Sequence, residues 1–119
     1  MIWQVTLDIF SGRPNPTWQL AGAAAEDLAR RLRAAPAVTP AAPRPVAPPD
    51  LGYRGFVLRP EAAGEAEHET RVYGGLIAGP QGEQLDSGRQ LERWLLATAG
   101  DRLDRPVFEH VLHSLDGRV

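Results

Sequence analysis

The chain has 119 residues, 43% of them hydrophobic and 24% charged, with a formal net charge of −2. That is one domain's worth of sequence, and folding at this size buries roughly two thirds of the unfolded surface, so one core is feasible without staples. The absence of cysteine excludes disulfides, thiolate metal sites and a cysteine nucleophile, and no apolar run approaches the ~20 residues of a membrane span.

Residues 1–10 carry neither a basic flank nor a long apolar run, so no signal peptide is read there and a cytoplasmic location is expected. Every one of the 13 basic residues is arginine. They are scattered among 15 acids and form no stripe interleaved with aromatics. This, with a pI near 5.9, argues against nucleic-acid binding, which needs clustered cations.

In chain order, residues 1–10 alternate. Trp3, Val5, Leu7 and Ile9 share one face and Gln4, Thr6 and Asp8 the other, the pattern of a half-buried strand. Residues 11–18, Ser-Gly-Arg-Pro-Asn-Pro-Thr-Trp, contain two prolines, which disfavour both helix and ladder, and predict a tight, ordered loop. Residues 21–35 predict a helix with Ala24, Leu28 and Leu32 on one face, acids early, arginines late and no clear cap.

Residues 36–50 hold six of the eleven prolines, with alanine the commonest of the rest. Such a segment builds no core and reads as an extended strap within a single 1–119 domain. Residues 53–59 and 70–77 predict a second and a third strand, paired as an antiparallel hairpin through a Glu- and Ala-rich connection over 60–69. Glycines inside both suggest a bulge or a close backbone approach. After a turn at 79–82, Asp86 or Ser87 caps a helix that runs to Ala99, with Leu91, Trp94, Leu95 and Thr98 inward. A last helix opens at Asp104-Arg105-Pro106, buries Val107, Val111 and Leu115, and ends at Gly117. The expected architecture is a two-layer α+β domain, β-α-β-β-α-α, in which a small, mostly antiparallel three-stranded sheet packs on three helices.

The loop over 11–18 is the strongest local feature. Gly12 permits a tight backbone, Pro14 and Pro16 restrict it, and Arg13 and Asn15 beside Trp18 make a plausible carboxylate or peptide contact. The plainer reading is a structural plug, with Trp18 in the core and Asn15 bonding local backbone. With its preceding strand, Phe10-Ser11-Gly12-Arg13-Pro14-Asn15-Pro16-Thr17-Trp18 resembles the opening of small, uncharacterised bacterial proteins that carry Phe-Ser-Gly-Arg-Pro-Asn-Pro-x-Trp. The resemblance covers only the first twenty residues and implies no activity.

Chemistry-bearing residues are dispersed. His110 and His113 neighbour each other on the last helix, and with Glu109 or His68 they make a candidate zinc or iron site. They equally make an ordinary helix surface, since no compact ligand motif such as His-Glu-x-x-His is present. Asp8 is the only carboxylate expected within the sheet. Ser11, Ser87 and Ser114 lack a nucleophile-elbow context, and the glycine pairs form no phosphate loop.

The residues therefore favour a non-catalytic binding module or accessory subunit. A short sheet leaves an edge to which a peptide or a partner's strand can add for a separate modifying enzyme. Arg13, Asn15, Trp18, Tyr53, Arg54, Arg71 and Tyr73 are the candidate contacts, types enriched at interface anchors. The alternatives are a small metal-binding protein or enzyme using His110 and His113, and a homodimer through paired edge strands. No cofactor is expected, and the partner is a protein or peptide, neither nucleic acid nor membrane.

Overall fold

The computed structural model describes residues 2–10, 14–38, 52–61, 69–80 and 82–116. Within them the strands are β1 (Trp3–Leu7), β2 (Thr17–Leu20), β3 (Phe56–Pro60), β4 (Thr70–Tyr73), β5 (Leu76–Gly79) and β6 (Gly82–Leu85), and the helices are α1 (Gly22–Ala34), α2 (Gln90–Ala99) and α3 (Arg105–Leu115). The strands form one antiparallel sheet in the order β2-β1-β3-β4-β5-β6.

The three-stranded expectation is thus corrected to six described strands, for three local reasons. The two prolines do break the ladder, but only up to Pro16. Thr17–Leu20 then alternates exposed and buried and pairs with β1, Val5 opposite Trp18. The long third strand is a hairpin: Gly74 and Gly75 both take positive φ, 64° and 87°. This is the signature of a two-residue turn whose twist matches the flanking strands, and glycine adopts it without a Cβ clash. Third, Gly82–Leu85 is a strand beyond the turn, with Ile77 opposite Gln84. The first strand adds to the β3 edge of the β3–β4 hairpin and, with β2 on its other side, lies inside the sheet.

Side-chain alternation sorts the sheet into two faces. Trp3, Val5, Leu7, Trp18, Leu20, Phe56, Leu58, Val72 and Ile77 point inward and join Leu28 of α1, Leu91, Leu95 and Leu96 of α2, and Val111 and Leu115 of α3 in one core cluster. The other face carries Gln4, Thr6, Thr17, Gln19, Arg59 and Arg71. Two side chains, Trp18 and Gln84, tie the helix layer to this inner surface through three hydrogen bonds. Trp18 Nε1 donates to Thr98 Oγ1 at 3.0 Å, and Gln84 Nε2 donates to the carbonyls of Leu32 and Ala35 at 2.7 and 2.9 Å. The expected boundaries of α1 and α3 hold within a residue or two, and α1 indeed has no side-chain cap.

Strict alternation fails at the start of β3. Asp8 N donates to the Gly55 carbonyl at 2.9 Å and the Asp8 carbonyl accepts from Arg54 N at 2.8 Å, so two residues oppose one. This bulge shifts the phase by one residue. Counting back from Phe56, Arg54 would face the core and Tyr53 the open side; instead Tyr53 is fully buried and Arg54 exposed. Only glycine fits at the bulge. Gly55 has φ 98°, and a Cβ there would lie 2.3 Å from the Val72 carbonyl oxygen and 2.6 Å from Tyr73 Cβ.

Of the strap, residues 36–38 are described. Leu85 N donates to the Pro36 carbonyl at 2.8 Å and Val38 N to the Glu83 carbonyl at 2.9 Å, so this stretch lies against the outer edge of β6. No helix among the described residues is long and apolar enough to cross a membrane.

Candidate binding edge and the residues around it

The two sheet edges differ. On β6, two outward groups, the Glu83 carbonyl and the Leu85 N–H, are taken by Val38 N–H and the Pro36 carbonyl. On β2 they are not. Leu7 N donates to the Pro16 carbonyl at 2.9 Å, and hydrogen-bonded pairs alternate along an antiparallel ladder. Trp18 and Leu20 therefore bond to β1, while Thr17 and Gln19 direct their N–H and C=O groups away from the sheet. Among the described residues no backbone or side chain pairs with those four groups. A small cleft bordered by Phe10, Pro14, Pro16, Leu103 and Val107 opens where β2 begins, with Arg102 and Asp104 at its rim.

The start of β2 is held by Asn15. Its Oδ1 accepts from the backbone N–H of Ile9 at 3.0 Å and of Phe10 at 2.7 Å, tying the residue two places before β2 to the chain that leaves β1. Trp18 is buried in the core and fastened to α2. Arg13 lies outside the described residues, as does His68.

Arg54 and Arg71 converge on the open face. Arg71 Nη1 donates to Asp8 Oδ2 at 3.1 Å and Arg54 Nη2 to Asp8 Oδ1 at 3.4 Å, while Arg71 also stands 3.7 Å from Glu69. Both arginines are more than half exposed while the Asp8 side chain is only 12% exposed, so each pair contributes only about 0–1 kcal/mol. Their aliphatic stems matter as well. Val57, though on the open face, is 7% exposed beside Arg71 and Thr6, its cross-strand neighbours. In sheet order β1 and β3 stand between β4 and β2, about 14 Å at the usual strand spacing. Arg71 is therefore set apart from the β2 edge.

Tyr53 and Tyr73 belong to a different constellation, inside the molecule. Tyr53 Oη donates to Glu92 Oε2 at 2.6 Å, and Arg89 clamps the same carboxylate in bidentate fashion, Nε to Oε1 at 2.9 Å and Nη2 to Oε2 at 2.8 Å. Gly75 N adds a bond to Oε1 at 3.3 Å, and the Arg89 guanidinium lies 5.4 Å from the Tyr73 ring centre. Asp86 sits beside this cluster and accepts from Leu91 N and Glu92 N, capping α2.

Burial, followed by the charge of Glu92 and its hydrogen bond, pushes the Tyr53 phenol well above its ordinary range. Burial also raises Asp86, against the lowering by its two backbone N–H bonds. Arg89 is raised, first by its hydrogen bond to Glu92. This network welds the bulged start of β3, the β4–β5 turn and α2 together.

Sequence reasoning did not single out Glu92 or Arg89. The signal was present: Glu92, Leu95, Leu96 and Ala99 fall three, four and seven apart, on the buried stripe of α2. A carboxylate at such a position demands a partner. His110 and His113 are exposed on α3, and no group of three or more His, Cys, Asp or Glu among the described residues could hold a metal ion.

Comparison of the chain with protein-family models, with curated proteins and with solved structures found no match to any of them.

Proposed function

We propose that this protein is a binding module that takes an extended peptide, or a strand of a partner protein, onto the outer edge of β2, as an accessory subunit to a separate modifying enzyme. The observation that carries this reading is the contrast between the edges: residues 36–38 lie along β6, whereas Thr17 and Gln19 present backbone groups that are unpaired among the described residues. An added strand uses main-chain hydrogen bonds for affinity and alternate side chains for specificity. Four such bonds, at about 1 kcal/mol net each, correspond only to a millimolar complex. Tighter binding then draws on side chains, and the cleft at Phe10, Pro16, Leu103 and Val107 is the nearest pocket for one.

Selection of displayed random decapeptides against the immobilised protein tests the proposal. Recovered peptides are expected to lose at least tenfold in affinity to Gln19→Pro, which deletes one outward N–H that β1 does not use. They should be indifferent to Thr6→Ala on the open face. Peptides that bind Gln19→Pro as well as the parent protein would overturn it.

A further inference from the structure

The β2 strand carries none of the side-chain devices that keep exposed edges apart. Those are charged residues, proline within the strand and bulges that twist it away. Thr17–Leu20 holds no charge and no proline, and it pairs with β1 in unbroken register along its length. Thr17 and Gln19 are exposed. A formal net charge of −2 sets little repulsion between two copies of the chain.

The backbone pattern of this edge is self-complementary. A two-fold axis through Trp18, normal to the sheet, sets β2 of a second copy antiparallel to the first. Thr17 of each copy then stands opposite Gln19 of the other. Each such pair exchanges two N–H to carbonyl bonds, as hydrogen-bonded pairs of an antiparallel ladder do. All four outward groups on both copies are satisfied, and no other two-fold register pairs those four groups among themselves. The same axis brings the Pro16 end of one strand against the Leu20 end of the other. Past Leu20 the chain presents Ala21, Gly22 and Ala23, all exposed, small and uncharged. No like charge therefore meets Arg102 and Asp104, which rim the cleft beside Pro16.

We infer that, with no peptide bound, the β2 edge pairs with β2 of a second copy of this chain, an isologous contact that joins the two sheets, and that peptide and second copy compete for it; this rests on the reading of that edge as a strand-accepting site. Four main-chain bonds give only about a millimolar complex. The dimer is therefore weak enough for a peptide with an anchoring side chain to displace.

The test is sedimentation equilibrium of the full chain in a series reaching about 1 mM, with cysteine cross-linking as a second measurement, since the chain has no cysteine of its own. The average mass should climb with concentration towards twice the monomer's. Gln19→Pro should remove the climb and Thr6→Ala should leave it. When Thr17→Cys and Gln19→Cys chains are mixed and oxidised, the disulfide between position 17 and position 19 should exceed either same-site disulfide at least tenfold. Same-site residues lie on the diagonal, about 7–8 Å apart, beyond disulfide reach. A chain that stays monomeric to about 1 mM, a dimer that Gln19→Pro leaves intact, or an excess of same-site disulfides would overturn the inference. Decapeptides that bind a strictly monomeric chain at the Gln19 edge would sink it while leaving the edge reading in place. A cross-linked dimer from a chain that selects no peptide would support it and remove the peptide instead.

Discussion

The hydroxyl of Tyr53 meets the carboxylate of Glu92 at 2.6 Å across 39 positions of sequence. Tyr53 precedes β3 and Glu92 lies in the first turn of α2, so this bond and the Arg89 clamp fasten the sheet to a helix where both are buried. The pair is unequal in what its loss should do. Removing the carboxylate leaves Arg89, only 16% exposed, without its counter-charge, whereas removing the hydroxyl leaves Glu92 still held by Arg89 and Gly75. Glu92→Leu should therefore lower stability by about 3–5 kcal/mol and Tyr53→Phe by about 1–2 kcal/mol, read from urea denaturation. Equal losses in the two variants would contradict the assigned hierarchy.

The same contact makes stability fall at alkaline pH. An unfolded tyrosine releases its proton near its ordinary value of 10.0. In the folded protein burial and the neighbouring carboxylate keep Tyr53 protonated well beyond that. Above about pH 10 the folded state thus binds more protons than the unfolded one, and stability declines as pH rises. The contribution of one group approaches about 1.4 kcal/mol per pH unit. Denaturation profiles between pH 9 and 11.5, values chosen to bracket about 10, should be flatter in Tyr53→Phe than in the parent protein by roughly that slope.

Asn15 offers a test of how the β2 edge is positioned. Its side-chain oxygen serves two backbone N–H groups, those of Ile9 and Phe10, in a partly buried loop. Asn15→Ala should cost about 1–2 kcal/mol, a melting-temperature drop of roughly 3–10 °C for a domain of this size. Asn15→Asp keeps an acceptor oxygen in place and should recover most of the loss. If Asp and Ala variants melt alike, the two hydrogen bonds do not hold the loop.

Periodicity carried the sequence reading a long way where a segment was long. The alternation Trp3, Val5, Leu7 against Gln4, Thr6, Asp8 assigned both faces of β1. The spacing of Val107, Val111 and Leu115, with proline at the start, located α3. These are local consequences of side-chain geometry and need no knowledge of neighbours.

The four-residue strands β2, β5 and β6 were not legible. Four residues hold barely two alternations, and what makes them strands is pairing with residues elsewhere in the chain. Tyr53 and Arg54 show the same limit at single-residue scale. Both were read as surface anchors, but the bulge opposite Asp8 sends one into the core and the other to the open face. That choice follows from the close approach of β4 to Gly55; the glycine inside the strand signalled a bulge or a close approach, but not which side chain it would turn inward.

Composition and short-range periodicity thus determined the α+β class, the long elements and their buried stripes, because those depend on the chain's own repeat. The six described strands and their order, the covering of one edge by residues 36–38 and the exposure of the other, and the meeting of Tyr53, Arg89 and Glu92 were decided by tertiary structure. Each of these rests on hydrogen bonds between backbone or side chains distant in sequence, and such bonds form only once the sheet has closed.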